Sequence, residues 1–240
     1  SIAAAKLFSD GSLWLGSLSA VGALWLAAAS WVKVRHAASQ DAETRSKRDH
    51  EGLRGALHVL HATTGQICGL KPEELNDSLR TTFHRVVEPL ENPQEIEQIV
   101  PYVGGKGGGE WRRFSVRAGV TGQSIRTKSP SAMHRPLGQD ALTYRGELAR
   151  DWGFLAGDLE KVDLERQSFL AVPVSNPDTG HVLGVIYFDG KKIDMFVDSA
   201  VVGQIVQACG GVARYVTERY GRIDVARRQL SLVQGRFEAP

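Results

Sequence analysis

The sequence predicts an α+β protein: an N-terminal transmembrane helix, a helical connector, then an antiparallel sheet flanked by helices. Three observations predict it. Gly11 to Val32 carry no charge, and 22 residues in a helix reach roughly 33 Å, enough for a hydrocarbon core of about 30 Å. Two apolar runs, Phe169–Val174 and Val182–Asp189, flank Asn176-Pro177-Asp178-Thr179-Gly180, a strong hairpin signal. Apolar residues at helical spacing open and close the remaining sequence.

Residues 1–10 read as a short extracytoplasmic N-terminus and 11–34 as the membrane helix. Trp14 and Trp31 lie near its ends, where indole rings favour the interface, and Lys33, Arg35, Arg45, Lys47 and Arg48 follow it. The positive-inside bias then places the C-terminal domain in the cytoplasm, tethered by one span to the inner membrane. A secretory signal competes, because Ala27-Ala28-Ala29 resembles a cleavage site, but basic residues directly after it oppose export. A buried helix also competes, opposed by the abrupt turn to charged sequence. Small residues every fourth position (Ser12, Gly16 and Ala20; Ser19, Ala23 and Ala27) would let two spans approach closely.

Residues 35–52 form a charged connector rich in helix formers and free of proline. The domain proper is expected over 53–218. Leu53, Leu57, Leu60, His61, Thr64 and Ile67 keep near-helical spacing until Gly69 and Lys71-Pro72 stop the helix. Leu79–Leu90 reads as a strand, Gln98–Val103 as a second and Trp111–Val116 as its hairpin partner. The loop Gly104–Gly109 superficially suggests a phosphate-binding loop, but Gly107 follows Lys106 and a strand follows the loop. A flexible hairpin turn fits better. Gly119 and Gly122 open a short helix through Ile125, Ser131–Arg135 forms a strand, and Ala141–Trp152 a helix ending at Gly153. Asp198–Val216 is the final helix, with Val201, Val202, Ile205, Val206, Cys209, Val212, Ala213 and Val216 on one face. Residues 219–240 extend it as a charged helical tail.

Lys and Arg total 29 against 27 for Asp and Glu, a balance that argues against a nucleic-acid partner. Two cysteines, Cys68 and Cys209, are too few for a disulfide framework and lack metal-ligand spacing. No nucleophile and base pair, carboxylate pair or closed metal site is visible, so the expectation is no enzyme, no catalytic residue and no metal site. The sequence names no cofactor.

Three local patterns resemble the GAF family of small-molecule sensor domains: GVTGQSIRTKSP at Gly119 to Pro130, the helix ending in Trp152-Gly153-Phe154, and SFLAVPV with its partner HVLGVIYFD. The resemblance covers roughly Leu53 to Tyr215. It implies a six-stranded antiparallel sheet, a layer made by the first and last helices, a pocket on the other face, and parallel dimers through the terminal helices. The Asn-Lys-Phe-Asp-Glu signature of the phosphodiesterase members is missing, as is a Cys-His pair for a bilin. The methionine-sulfoxide reductase relatives use pocket cysteines, whereas Cys68 and Cys209 fall in the terminal helices.

The candidate ligand-binding residues are Arg126, His134, Arg135, Trp152, Phe154 and Tyr187. His134 and Arg135 would hold an anion, and Trp152, Phe154 and Tyr187 would stack on a planar ring. Core packing competes for both aromatics beside Gly153, and a structural hydrogen bond competes for His134. The expected function is a membrane-anchored cytoplasmic sensor that signals through dimeric helices to the membrane segment or a partner effector protein. One version is a bacterial stress or antiphage-defence effector whose span disturbs the lipid. The alternative is a membrane-anchored dimerisation or docking scaffold that binds no ligand.

Overall fold

The computed structural model describes residues 50–221 except 137, 155 and 161. The chain divides into two units, Ser1–Asp49 and His50–Pro240, and the described residues belong to the second. The expected membrane helix, nearly all of the connector and most of the charged tail lie outside the described residues. Among the described residues no helix is long and apolar enough to cross a membrane.

Helix α1 covers residues 50–67. Its Leu53, Leu57, Leu60, His61 and Thr64 are buried, as the spacing predicts. Beyond Lys71-Pro72 the chain forms a second, unforeseen helix, α2 (Pro72–Ser78), with Pro at its start and Glu73 and Glu74 in its first turn. Those residues suit a helix N-terminus as well as they suit a stop.

Strand β1 (Leu79–Val86) ends earlier than the apolar pattern suggests. Strand β2 is Glu95–Gln98, not Gln98–Val103, and β3 is Arg113–Ser115. The segment after Gln98 leaves the sheet, touching it again through a bridge between Thr81 and Val103. Thr82 and Gln98 bond the Val100 carbonyl, so side chains replace the ladder there. Helix α3 (Gly119–Thr127), strand β4 (Ser131–His134) and helix α4 (Ala141–Trp152) follow. Asp140 caps α4 by accepting from the backbone N–H of Leu142 and Thr143, and Gly153 closes it in the left-handed conformation. A short helix, α5 (Ala156–Leu159), precedes β5 (Ser168–Ser175) and β6 (Val182–Gly190). The expected final helix is two pieces, α6 (Ser199–Ala208) and α7 (Gly210–Val216), continued by a π-helical turn over Thr217–Gly221. Gly210-Gly211 supplies the weak point.

The six strands make one antiparallel sheet in the order β3-β2-β1-β6-β5-β4. Because side chains alternate, each central strand serves two cores. Leu79 and Phe83, Leu170 and Val172, and Ile186 and Phe188 meet Leu53, Leu57, Ile205, Val212 and Val216 of the terminal helices. Val86, Ile96, Met133, Phe169, Ala171 and Val185 meet Val120, Ile125, Tyr144 and Leu148 of α3 and α4 on the opposite face.

Candidate functional site

The opposite face carries polar side chains along the middle of the sheet. Directly paired residues share a face, so the pairs Thr82 with Tyr187, His84 with Gln98, Arg80 with Asp189, and Ala171 with Tyr187 set one row of neighbours. Phe114, opposite Ile96 on β3, joins that face.

At one end lies an ion cluster. Arg80 donates to both oxygens of Asp189 at 2.8 and 2.9 Å. Arg166 approaches Asp189 at 3.5 Å and Asp163 at 3.7 Å, and Arg80 reaches Asp163 at 3.3 Å. Burial raises the Asp189 carboxyl above its usual range, while the Arg80 bond and charge pull it down. Arg80 also lies over the Tyr102 ring at 4.7 Å.

Next come the rings. Tyr102 and Tyr187 meet edge to face at 6.5 Å, His84 stacks on Tyr187 at 5.5 Å, and Phe114 lies 5.4 Å beyond His84. His84 is 3% exposed, and among the described residues neither ring nitrogen has a hydrogen-bond partner. Burial holds its pKa down to about 3, so the imidazole is neutral, with one N–H donor and one bare nitrogen. Gln98 beside it donates to the carbonyls of Val100 and Gly108, but its Oε1 is also buried without a partner among the described residues. Gly109 (φ +91°) lets the loop backbone close onto that amide, where a Cβ would strike it.

Tyr102 and Tyr187 are closely surrounded by protein, and burial raises both phenols well above their ordinary value. Both nevertheless keep accessible surface. Tyr102 and Tyr187 are thus the half-buried part of the cluster around His84. The Tyr144 hydroxyl of α4 is also buried and, among the described residues, without a partner, and burial raises its pKa to about 12. The structure therefore brings together Arg80, Tyr102, His84, Gln98, Tyr144 and Tyr187.

The sequence-derived candidates are dispersed. Tyr187 lies in the ring cluster, in contact with both Tyr102 and His84. Arg135 lies behind Tyr144, its guanidinium 5.1 Å from that ring, and donates to the carbonyls of Leu164 and Gln139. Arg126 is exposed and donates to the Val116 carbonyl, closing the turn into α3. His134 is exposed on edge strand β4. Trp152 and Phe154 are half-buried against the apolar cluster, Phe154 lying beside Gly119. His84, Tyr102 and Gln98 were absent from the candidates. The one sequence signal for His84 is its parity with Val86 in β1, and parity does not reveal which face carries the ring cluster.

The described domain has a GAF-like fold: an antiparallel six-stranded sheet with terminal helices on one face and short helices and loops on the other. No family model matches the sequence, and no curated protein matches it. Similar solved structures include the type II free methionine-R-sulfoxide reductase of Thermoplasma acidophilum, with TM-score 0.47 and 14% identity over 72% of this chain and 95% of that one. They also include the GAF domain of an Acinetobacter phosphoenolpyruvate-protein phosphotransferase (TM-score 0.46, 13% identity, 77% and 96% covered). The GAF-B domain of DevS from Mycobacterium smegmatis is similar too (TM-score 0.43, 12% identity, 74% and 98% covered).

The expectation of no enzyme is corrected by these findings: similar structures include reductases, so this fold does not exclude catalysis. Cys209 is buried in the core under the terminal helices and Cys68 packs against that core, so both lie on the face away from the ring cluster. Burial raises their thiols to about 12 and about 11 respectively.

Proposed function

We propose that this chain is a membrane-anchored GAF-like sensor that binds a small molecule at the ring cluster of Tyr102, His84 and Tyr187. The observation that carries the reading is His84, buried beside the half-buried rings of Tyr102 and Tyr187 with both nitrogens unpartnered among the described residues. Buried polar groups are ordinarily satisfied, and a ligand that completes the set is the simplest account of one that is not. Occupancy would favour one arrangement of the loop over 99–112, and the sheet would pass that preference to the terminal helices. The output is then the membrane segment or a partner protein, engaged by two copies side by side. A bacterial stress or antiphage-defence role is one form this takes.

A thermal-shift panel of nucleobases, amino acids and other metabolites against the whole chain tests the sensor reading. A true ligand at 100 times its dissociation constant adds about 2.7 kcal/mol. A second reading, a ligand-free docking scaffold, is favoured by the Tyr187, His84 and Phe114 stack, which fills part of the face with the protein's own rings. Silence across the panel would favour it.

A further inference from the structure

The C-terminal helix changes its spacing where it meets the β5–β6 hairpin. Val212 and Val216, four residues apart, are buried on α7, and the next buried residue is Gly221, five further on. The π-helical turn over Thr217–Gly221 makes that step, because its bonds close over five residues instead of four. An unbroken α-helix would bring Tyr220 to that side instead, four residues after Val216. The buried Asn176 amide, in the hairpin, donates to the Gly221 carbonyl at 3.2 Å. A Cβ at 221 would lie 3.4 Å from that amide, so the chain passes close against it. Tyr220 is half-buried against the same core cluster, beside the position it would take in the α register. Turns of this kind are rare inside helices, so something must hold the extra residue in place. Here one buried side-chain amide does so.

We propose that this turn is a two-position register switch: with Gly221 bonded to Asn176 the helix takes the π turn, and with Tyr220 seated in its place the helix closes to α. Closing would turn whatever follows Gly221 by roughly 100° and move it by about 1.5 Å. The switch stands on the fold alone. Its use as an output rests on the sensor reading above, since β6, which carries Tyr187, leaves the same hairpin that holds Asn176.

The test uses the whole chain in detergent, labelled with 3-fluorotyrosine, the Tyr220 signal being the one lost in Tyr220→Phe. Asn176→Ala removes the amide, whereas Asn176→Asp keeps the oxygen that accepts from the Asp178 N–H and removes the donor. Both should raise a second Tyr220 signal, better shielded from solvent, about tenfold relative to the first, the effect of one lost buried hydrogen bond. Glu218 is exposed and pairs with exposed Arg214, and deleting it sets Gly221 four residues after Val216 without a π turn. That chain should melt no lower than the parent and show a single Tyr220 signal that Asn176→Asp no longer splits. Unchanged Tyr220 signals in both Asn176 variants, equal splitting with and without Glu218, or a lower Tm on deletion would overturn the switch. A compound that raises Tm yet leaves the Tyr220 ratio unchanged overturns the output role and leaves the sensor reading standing. A silent thermal panel beside a responsive Tyr220 signal overturns the sensor reading and leaves the switch.

Discussion

His84 makes the stability of this domain depend on acid. Its folded pKa of about 3 lies below the ordinary 6.5, so between those values the unfolded chain binds a proton that the folded chain refuses. Stability is therefore complete above pH 6.5 and falls as pH is lowered toward 3, by about 2–3 kcal/mol from this one group at about pH 4.5. Burial lowers His61 as well, with the same sign. Urea titrations from neutral pH downward should show the slope, and His84→Leu should flatten it. A parent and variant with equal slopes would remove His84 as the cause. Asp189→Ala should cost about 3 kcal/mol or more, because it leaves Arg166 (5% exposed) and Arg80 facing each other without their shared carboxylate. At this scale the sequence is hard to interpret for a definite reason. His84 and His134 both read as histidines within strands, yet one stands on a central strand against two rings and the other on an exposed edge. Strand order is set by pairings about a hundred residues apart, such as Thr82 with Tyr187, and no local pattern encodes them.

Elements with strong periodicity or turn chemistry were legible, and those held by side chains were not. The β5–β6 hairpin, α4 with its Asp140 and Gly153 ends, and the buried stripe of α1 follow from their residues. The shift of β2 toward Glu95 does not, because Thr82 on the neighbouring strand joins Gln98 in capturing the Val100 carbonyl. The break between α6 and α7 lay in plain view at Gly210-Gly211, but an uninterrupted apolar face outweighed it. Neither glycine would crowd a neighbour if it gained a Cβ. Gly211→Ala should thus stabilise the domain by about 0.5–1 kcal/mol, read as a higher urea midpoint. Asp198 accepts from the Ala200 N–H at the start of α6, so Asp198→Ala should cost about 1 kcal/mol in the same assay.

For the whole molecule, the decisive measurement is where it resides. The apolar stretch Gly11–Val32 makes the expected outcome retention in the membrane fraction through alkaline extraction. Release into the supernatant would remove the spanning helix and with it the proposed output. Sedimentation of the detergent-solubilised chain should report two copies. A monomer at all concentrations would leave the terminal helices without their proposed role.

Asn176 gives the hairpin between β5 and β6 a second duty. It is buried, its backbone bonds close the turn with His181 and Gly180, and its side chain donates to the carbonyl of Gly221. A one-residue slip of β6 would trade Tyr187 and Asp189 for Ile186 and Phe188 across the sheet, inverting both cores at once. The residue that closes this turn through its backbone thus also holds the last described turn of the chain through its side chain, linking strand alignment to the seating of the C-terminal end.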